Sequence, residues 1–80
     1  MWTESENKLC KTFVFKSFED AMAFMQMVSN EISAINHHPE WTNVYNRLEV
    51  VLTTHDARNT VTELDRRLAN IMDEVFQQFN

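Results

Sequence analysis

The chain contains no glycine, one proline and one cysteine among its 80 residues. Without glycine, a position that requires a positive φ must be filled by another residue, and asparagine tolerates that conformation best. Asn7, Asn36, Asn46 and Asn59 therefore mark the predicted turns. A single cysteine, Cys10, permits no internal disulfide and fits a reducing compartment, so we expect a cytoplasmic location.

Basic side chains are also scarce, because 7 Lys and Arg stand against 12 Asp and Glu, for a net charge of −5. A protein that binds a nucleic-acid backbone needs a basic patch, and the one basic doublet, Arg66-Arg67, is flanked by Glu63 and Asp65. No apolar run approaches the length of a membrane span, and the N-terminus shows no signal-peptide pattern. We therefore expect neither nucleic acid nor membrane as a partner.

The length predicts a single domain over residues 1–80. A domain of this size buries only about 60% of the surface of its unfolded chain. Because no disulfide can compensate, association into a homo-oligomer, a dimer or a tetramer, is the expected route to stability. Apolar residues make up 44% of the chain and include five Met and six Phe, which supports that expectation.

Apolar alternation and helical spacing predict six elements in the order β-β-α-β-β-α. Strands are predicted over residues 2–6, 9–16, 41–46 and 48–55. Ser17 and Thr62 can each cap a following helix, and the first helix should end near Asn36 because Pro39 prevents its continuation. The expected fold is α+β, a two-layer sandwich in which a four-stranded antiparallel sheet carries both helices on one face.

Helical spacing also predicts which side chains face the core. In the first helix the predicted core residues are Phe18, Ala21 or Met22, Met25, Val28 or Ser29, Ile32 and Ile35. In the second helix they are Leu64, Leu68, Ile71, Val75 and Phe79. Five further apolar residues lie beside these stripes. Phe24 and Met27 would either widen the core or contact another chain, and Ala69, Met72 and Phe76 form a stripe adjacent to that of the second helix.

All three histidines fall at one predicted edge of the sheet. His37 and His38 are adjacent at the end of the first helix, and His55 closes the last predicted strand. Histidine exchanges protons near neutral pH, so the group indicates proton-transfer chemistry. A histidine pair at a helix end also has a structural use, because an imidazolium interacts favourably with the helix dipole.

Metal binding is a further alternative, because three histidines could hold Zn²⁺. Adjacent histidine side chains diverge, however, unless the backbone bends sharply. The chain also contains neither Cys-x-x-Cys nor His-Glu-x-x-His spacing. The zinc interpretation therefore ranks below proton transfer.

The run Asn-His-His-Pro-Glu-Trp within residues 36–46, followed by Thr54-His55 and later by Asp65, closely resembles the pterin-4a-carbinolamine dehydratase family. The resemblance extends upstream through residues 17–25 and covers essentially the whole chain. It implies a hydro-lyase of pterin recycling that converts 4a-hydroxytetrahydropterin to quinonoid dihydropterin. It also implies that neither a redox cofactor nor a metal is required.

The resemblance implies that His37, His38 and His55 line the pterin site. We expect His38 and His55 to act as the acid and base near the C4a atom, with His37 orienting and polarising the substrate. Further contacts with the pterin are implied for Pro39, Thr54, Asp56, Ala57 and Asp65. Asp65 also has a structural interpretation, as the capping-box acid of the second helix.

Two features depart from the family pattern. The family often has an acidic residue four positions before the first histidine, where this chain has Ser33. Glu31 lies about 180° away around the helix and cannot replace it, so a different rate or pH optimum follows if that acid tunes a histidine. Family members also commonly carry an extra N-terminal helix ahead of the first strand, and we expect this element to be missing here, which would leave the surface it covers open or change the assembly.

Some family members also bind the dimerisation helix of a transcription factor as coactivators. An interaction module with weak or no enzymatic activity is therefore the alternative function. Its helix-binding surface would consist of the same five residues that lie beside the core stripes: Phe24, Met27, Ala69, Met72 and Phe76. The same surface would serve equally for self-assembly.

Overall fold

The computed structural model describes residues 1–79, which contain one antiparallel sheet and two α-helices. The strands are β1 (Thr3–Ser5), β2 (Lys8–Val14), β3 (Glu40–Val44) and β4 (Arg47–Leu52), and the helices are α1 (Phe18–Ile35) and α2 (Glu63–Phe76). Short 3-10 turns lie at His55–Ala57 and Gln77–Phe79. The strand order is β1-β2-β4-β3, which confirms the predicted α+β fold. Neither helix in this part of the chain is long and apolar enough to cross a membrane.

The core lies between the two central strands, β2 and β4, and the two helices. Antiparallel pairing places Phe13 of β2 opposite Leu48 of β4, and both side chains are buried. The Phe13 ring centroid lies 5.0 Å from that of Phe24 in α1 and 5.0 Å from that of Phe76 in α2. Both helices therefore cover the same face of the sheet, as the alternation of β2 and β4 predicts.

The buried face of α1 differs from the predicted stripe. Phe24, which was placed beside the stripe, has no exposed surface, whereas Phe18 is 40% exposed. Phe24 is buried because its ring fills the space beside Phe13 and Phe15, with centroid separations of 5.0 and 5.2 Å. The other buried residues of this helix are Ala21, Val28 and Ile32.

The α2 stripe is also shifted, because Leu64 is exposed while Ala69 and Met72 are buried. This shift removes the helix-binding surface expected for an interaction module. Of its five residues, Phe24, Ala69 and Met72 belong to the chain's own core, and Phe76 packs against that core. The fifth, Met27, is 37% exposed, so these residues mainly widen the core and do not together form the helix-binding surface of the alternative function.

Strand β4 ends at Leu52, although the alternation predicted a strand up to His55. Beyond Leu52 the backbone N–H of Thr54 donates to the Thr60 carbonyl at 2.9 Å, and the Thr54 hydroxyl donates to Asp65 at 2.7 Å. These bonds replace the sheet ladder, so His55 begins a 3-10 turn rather than closing a strand.

Three of the four predicted asparagine turn positions have a positive φ: Asn7 (65°), Asn36 (51°) and Asn59 (58°). At the turn between β3 and β4, however, Tyr45 adopts it, with φ 52°, and Asn46 does not. Asn46 instead donates through its side-chain amide to the Phe15 carbonyl at 2.9 Å. Its role at this turn is therefore to connect the hairpin to the end of β2.

Candidate functional site

An open cleft of about 260 Å³ lies where the end of α1 meets the end of β4. It is lined by Asn36, His37, His38, Thr53, Thr54, His55, Asp56 and Leu64. The fold thus brings together all three histidines, although His55 is separated from the other two by strands β3 and β4.

The end of α1 directs His37 and His38 towards this cleft. Asn36 caps the helix in the left-handed region, with φ 51° and ψ 44°. The N–H of Asn36 donates to the Ser33 carbonyl and the N–H of His37 donates to the Ile32 carbonyl, both at 3.3 Å. Because these bonds satisfy carbonyls of the last turn, the chain leaves the helix sharply at His37.

The opposite wall of the cleft is the loop after β4. Thr54 pairs with Thr60 as an isolated β-bridge, which closes the loop between them. Inside it, the N–H of Ala57 donates to the Thr54 carbonyl at 3.2 Å and the Thr60 hydroxyl donates to the Ala57 carbonyl at 2.7 Å. His55 is therefore held by a compact, internally bonded turn.

Behind the cleft, the Asp65 carboxyl connects both walls to α2. Its Oδ1 atom lies 2.6 Å from Nε2 of His37. Its Oδ2 atom accepts from the Thr54 hydroxyl at 2.7 Å and from the backbone N–H of Thr62 at 2.9 Å. The Thr62 hydroxyl lies 2.7 Å from the Thr54 hydroxyl. Because Thr54 donates its proton to Asp65, the Thr62 hydroxyl is the donor in the bond between the two threonines. Asp65 therefore caps α2, as predicted, and also holds His37.

The Asp65 side chain has no exposed surface, and its surroundings act on its pKa in opposite directions. Burial is the largest influence and raises the pKa, but the hydrogen bonds from His37, Thr54 and Thr62 and the charge of His37 together outweigh it. The pKa of Asp65 is lowered as a result. An ionised carboxylate only accepts hydrogen bonds, so Nε2 of His37 carries the proton between them and Nδ1 is the ring nitrogen left for other partners.

The other two histidines have different surroundings. Nδ1 of His55 lies 2.6 Å from the side-chain Oδ1 atom of Asn59, and both residues are exposed. His38 is exposed as well, and within residues 1–79 its ring makes no hydrogen bond to the protein. The three rings thus differ in partner: a buried carboxylate for His37, an amide oxygen for His55 and solvent for His38.

The structure places the eight predicted site residues in three groups. Five line the cleft: His37, His38, Thr54, His55 and Asp56. Asp65 lies directly behind His37, fully buried. Pro39 and Ala57 are outside the lining, each next in sequence to a residue that belongs to it. The functional roles of all eight remain predictions.

Sequence reasoning missed several residues of the site. Thr53 and Leu64 line the cleft, and Thr62 and Asn59 bind the side chains of its residues. Asn59 was recognised only as a turn marker and Thr62 only as a helix cap, because their second contacts depend on the folded loop. Ser33, at the position where the family often has an acid, is exposed and contributes only a backbone carbonyl to the helix end.

In the described part of the chain, no three His, Cys, Asp or Glu side chains are arranged to hold a metal ion. His37 uses Nε2 for Asp65, and the Nδ1 atom of His55 is directed to Asn59. The zinc alternative therefore gains no support from the geometry.

Comparisons with known proteins find relatives of this chain. The family model described as pterin 4 alpha carbinolamine dehydratase matches residues 1–75. Relatives from Bordetella avium and Sinorhizobium medicae, each provisionally named a pterin-4-alpha-carbinolamine dehydratase, are 54% and 49% identical over 70 and 71 residues. The matches cover 88% and 89% of this chain but 64% and 67% of the relatives, so the chain spans about two thirds of their length.

Solved structures show the same fold. A transcriptional coactivator/pterin dehydratase from Brucella melitensis has a TM-score of 0.88 and 38% identity, over 92% of this chain and 80% of that one. A pterin dehydratase-like protein described as a RuBisCO assembly factor in the alpha-carboxysome has a TM-score of 0.75, over 94% and 86% of the two chains. At 18% identity, this second likeness concerns the fold alone.

Proposed function

This chain belongs to the pterin 4 alpha carbinolamine dehydratase family, and on that premise we propose that it dehydrates 4a-hydroxytetrahydropterin to quinonoid dihydropterin. One observation carries the proposal: three histidines meet in one open cleft, in front of a buried and ionised carboxylate. The substrate is a small molecule, and the cleft of about 260 Å³ is close to the lower end of the roughly 300–1,000 Å³ of ligand pockets. A compact bicyclic ring suits that size.

The reaction explains why histidines are useful here. As the C4a–O bond breaks, the lone pair of N5 forms the C4a=N5 double bond. The hydroxyl leaves as water after an acid has protonated it, and a base accepts the proton of N5. The net change is the loss of one water with no oxidation or reduction, so groups that exchange protons near neutral pH serve both steps.

Within this proposal, His38 and His55 are the acid and base. Both belong to the cleft lining and both are exposed, so a bound pterin can reach either ring. His37 is held through Nε2 by Asp65, which leaves Nδ1 to orient and polarise the substrate. Asp65 is then a positioning residue, because its buried carboxyl contacts the pterin only through His37.

The remaining contacts follow from the arrangement of the walls. Thr54 and Asp56 flank His55 in the lining and are proposed to contact the pterin ring. Pro39 and Ala57 are proposed to shape the walls from their positions beside His38 and Asp56. The apolar side chain of Leu64 offers a surface for the flat ring on the α2 side.

The test is the decay of 4a-hydroxytetrahydropterin absorbance, measured with the full purified chain against the spontaneous reaction. The wild type should accelerate the decay, and the double variant His38→Ala, His55→Ala should return it close to the spontaneous rate. An exposed polar residue away from the cleft, in the variant Thr42→Ala, serves as the control. Activity that survives in the double variant would contradict histidine catalysis, and no acceleration by the wild type would contradict the function.

An interaction module remains the alternative function, but no contact among residues 1–79 favours it. The expected cytoplasmic location and homo-oligomeric state belong to the proposal. The unpaired thiol of Cys10 supports the first, since it forms no disulfide within the described chain. The small core of the 80-residue chain supports the second.

A further inference from the structure

We propose that Asn59 is a positioning residue for His55: its side-chain oxygen accepts the proton of Nδ1 and leaves Nε2 as the nitrogen that exchanges a proton with a ligand in the cleft. The 2.6 Å separation between Nδ1 and Oδ1 is the observation behind this proposal. A neutral imidazole has one N–H and one acceptor nitrogen. An oxygen partner at Nδ1 therefore selects the Nδ1–H tautomer, in which Nε2 carries the lone pair.

The loop around His55 is built so that Asn59 returns to it. The bridge between Thr54 and Thr60 closes the segment, and the N–H of Arg58 donates to the His55 carbonyl at 3.1 Å. Arg58 and Asn59 are both in the left-handed region, with φ 61° and 58°. The antiparallel bridge shows that the chain reverses within this loop, and the Asn59 side chain lies back beside the ring four positions earlier.

A purely structural reason for Asn59 also exists, because asparagine tolerates a positive φ and the chain has no glycine. Arg58 shows that this reason is incomplete. It has a similar positive φ without being asparagine, and it makes no side-chain hydrogen bond to His55. The side chain at position 59 therefore has a partner that the backbone conformation alone does not require.

The arrangement at His55 is the reverse of that at His37. His37 is held through Nε2 by a buried carboxylate, whereas His55 is held through Nδ1 by a neutral amide. The other titratable groups facing the cleft are His38 and Asp56, and no Lys or Arg belongs to its lining. A neutral partner fixes the orientation of His55 without a formal charge that favours its protonated form, which suits a base more than an acid.

The catalytic consequence rests on the proposed function, but the tautomer does not. In the full ¹⁵N-labelled chain, NMR of the ring nitrogens at a pH where His55 is neutral should show Nδ1 protonated and Nε2 unprotonated. A predominant Nε2–H tautomer would overturn the proposal. The NMR measurement needs no pterin, so it tests the role of Asn59 independently of activity. A chain without dehydratase activity would contradict the proposed function but not the tautomer.

Two variants separate the side chain from the backbone. Asn59→Gly keeps the left-handed conformation accessible and removes the acceptor, so both tautomers of His55 should be populated. The contact is exposed to water, so kcat should fall only about 2- to 10-fold, with little change in KM. The matched control Arg58→Gly should retain the Nδ1–H tautomer and the kcat of the wild type. An unchanged tautomer in Asn59→Gly, or an equal loss of kcat in both variants, would overturn the proposal.

A third variant provides a test if Asn59→Gly does not fold. Asn59→Asp keeps an oxygen acceptor beside Nδ1 and adds a negative charge, which stabilises the protonated ring. The variant should retain the Nδ1–H tautomer, and the acidic limb of its pH–rate profile should move to higher pH. A profile identical to that of the wild type would overturn the proposal, because the residue at position 59 would then not act on His55.

Discussion

Nε2 of His37 lies 2.6 Å from Oδ1 of Asp65, a residue 28 positions further along the chain. The two side chains are 11% and 0% exposed, so the contact is made largely away from water. Burying such a pair is costly, but the further hydrogen bonds from Thr54 and Thr62 satisfy the remaining carboxylate oxygen. Removing one member is then expected to cost more than the pair itself contributes, because the other is left buried without its partner.

Replacing the carboxylate by an amide, in Asp65→Asn, should destabilise the chain by about 1–3 kcal/mol. An amide has one acceptor oxygen and one donor nitrogen, whereas the native site presents donors to both carboxylate oxygens. One donor would therefore face the amide N–H₂. Urea unfolding measures the loss, and Glu63→Gln, at an exposed position in the same helical turn, should change stability by less than about 0.5 kcal/mol. Equal stability of the two variants would contradict this account.

The stabilisation by Asp65 should depend on pH in the acid range. Its pKa is lowered in the folded chain, so the unfolded chain holds the proton more tightly. The contribution is fully present above the unfolded aspartate pKa of about 3.9 and is lost as the pH falls through the lower folded pKa. The difference in unfolding free energy between the wild type and Asp65→Asn should therefore shrink as the pH falls below about pH 4. A difference that persists or grows under acid would contradict the assigned direction.

The cap of α1 should be sensitive to the residue at position 36. Asn36 has φ 51° and ψ 44°, a conformation that costs most residues with a Cβ atom about 1–2 kcal/mol but that asparagine tolerates better. Asn36→Ala should therefore lower the free energy of unfolding by about 1 kcal/mol, while Asn36→Gly should change it little. Thermal or urea unfolding compares the two variants. Equal losses of unfolding free energy in the two variants would contradict the importance of the left-handed conformation for the path of the chain from α1 to His37.

Association of the chain is a separate prediction. The mass of one chain is 9.5 kDa. Light scattering after size exclusion should give two or four times this mass, which corresponds to a stable dimer or tetramer. Exposed apolar side chains at the hairpin end, Val44 and Tyr45, are available for such contacts. A single species at the mass of one chain would contradict the expected oligomer.

The order of elements was predictable because β2 and β4 alternate and both helices have apolar stripes. The buried face of α1 was not predictable, because Met25 and Phe24 are adjacent in the sequence and helical spacing alone permits either of them to face the core. The position of the sheet decides between them, and the rings of Phe13 and Phe15 select Phe24. Similarly, the predicted strand was extended from Leu52 to His55, but the bonds of Thr54 to Thr60 and Asp65 end it.

The candidate site was predictable as a set of residues and less so as a network. The family resemblance brought His37, His38 and His55 together, but the sequence does not reveal that Asp65 holds one ring and Asn59 another. Both residues also have a local role that the sequence reveals, a helix cap for Asp65 and a turn for Asn59, and this local role gives no sign of the second contact. Their second role arises only when the ends of α1 and β4 meet the start of α2.

The most direct test of the central claim is a co-crystal structure of the chain with a reduced-pterin analogue that lacks the 4a hydroxyl. We predict the ring in the three-histidine cleft, with the atoms corresponding to C4a and N5 within reach of His38 and His55 and with His37 still bound to Asp65. A second cleft, of about 240 Å³, lies beside Trp2 and Arg66. Binding of the analogue there, or in the histidine cleft with both rings out of reach, would contradict the account.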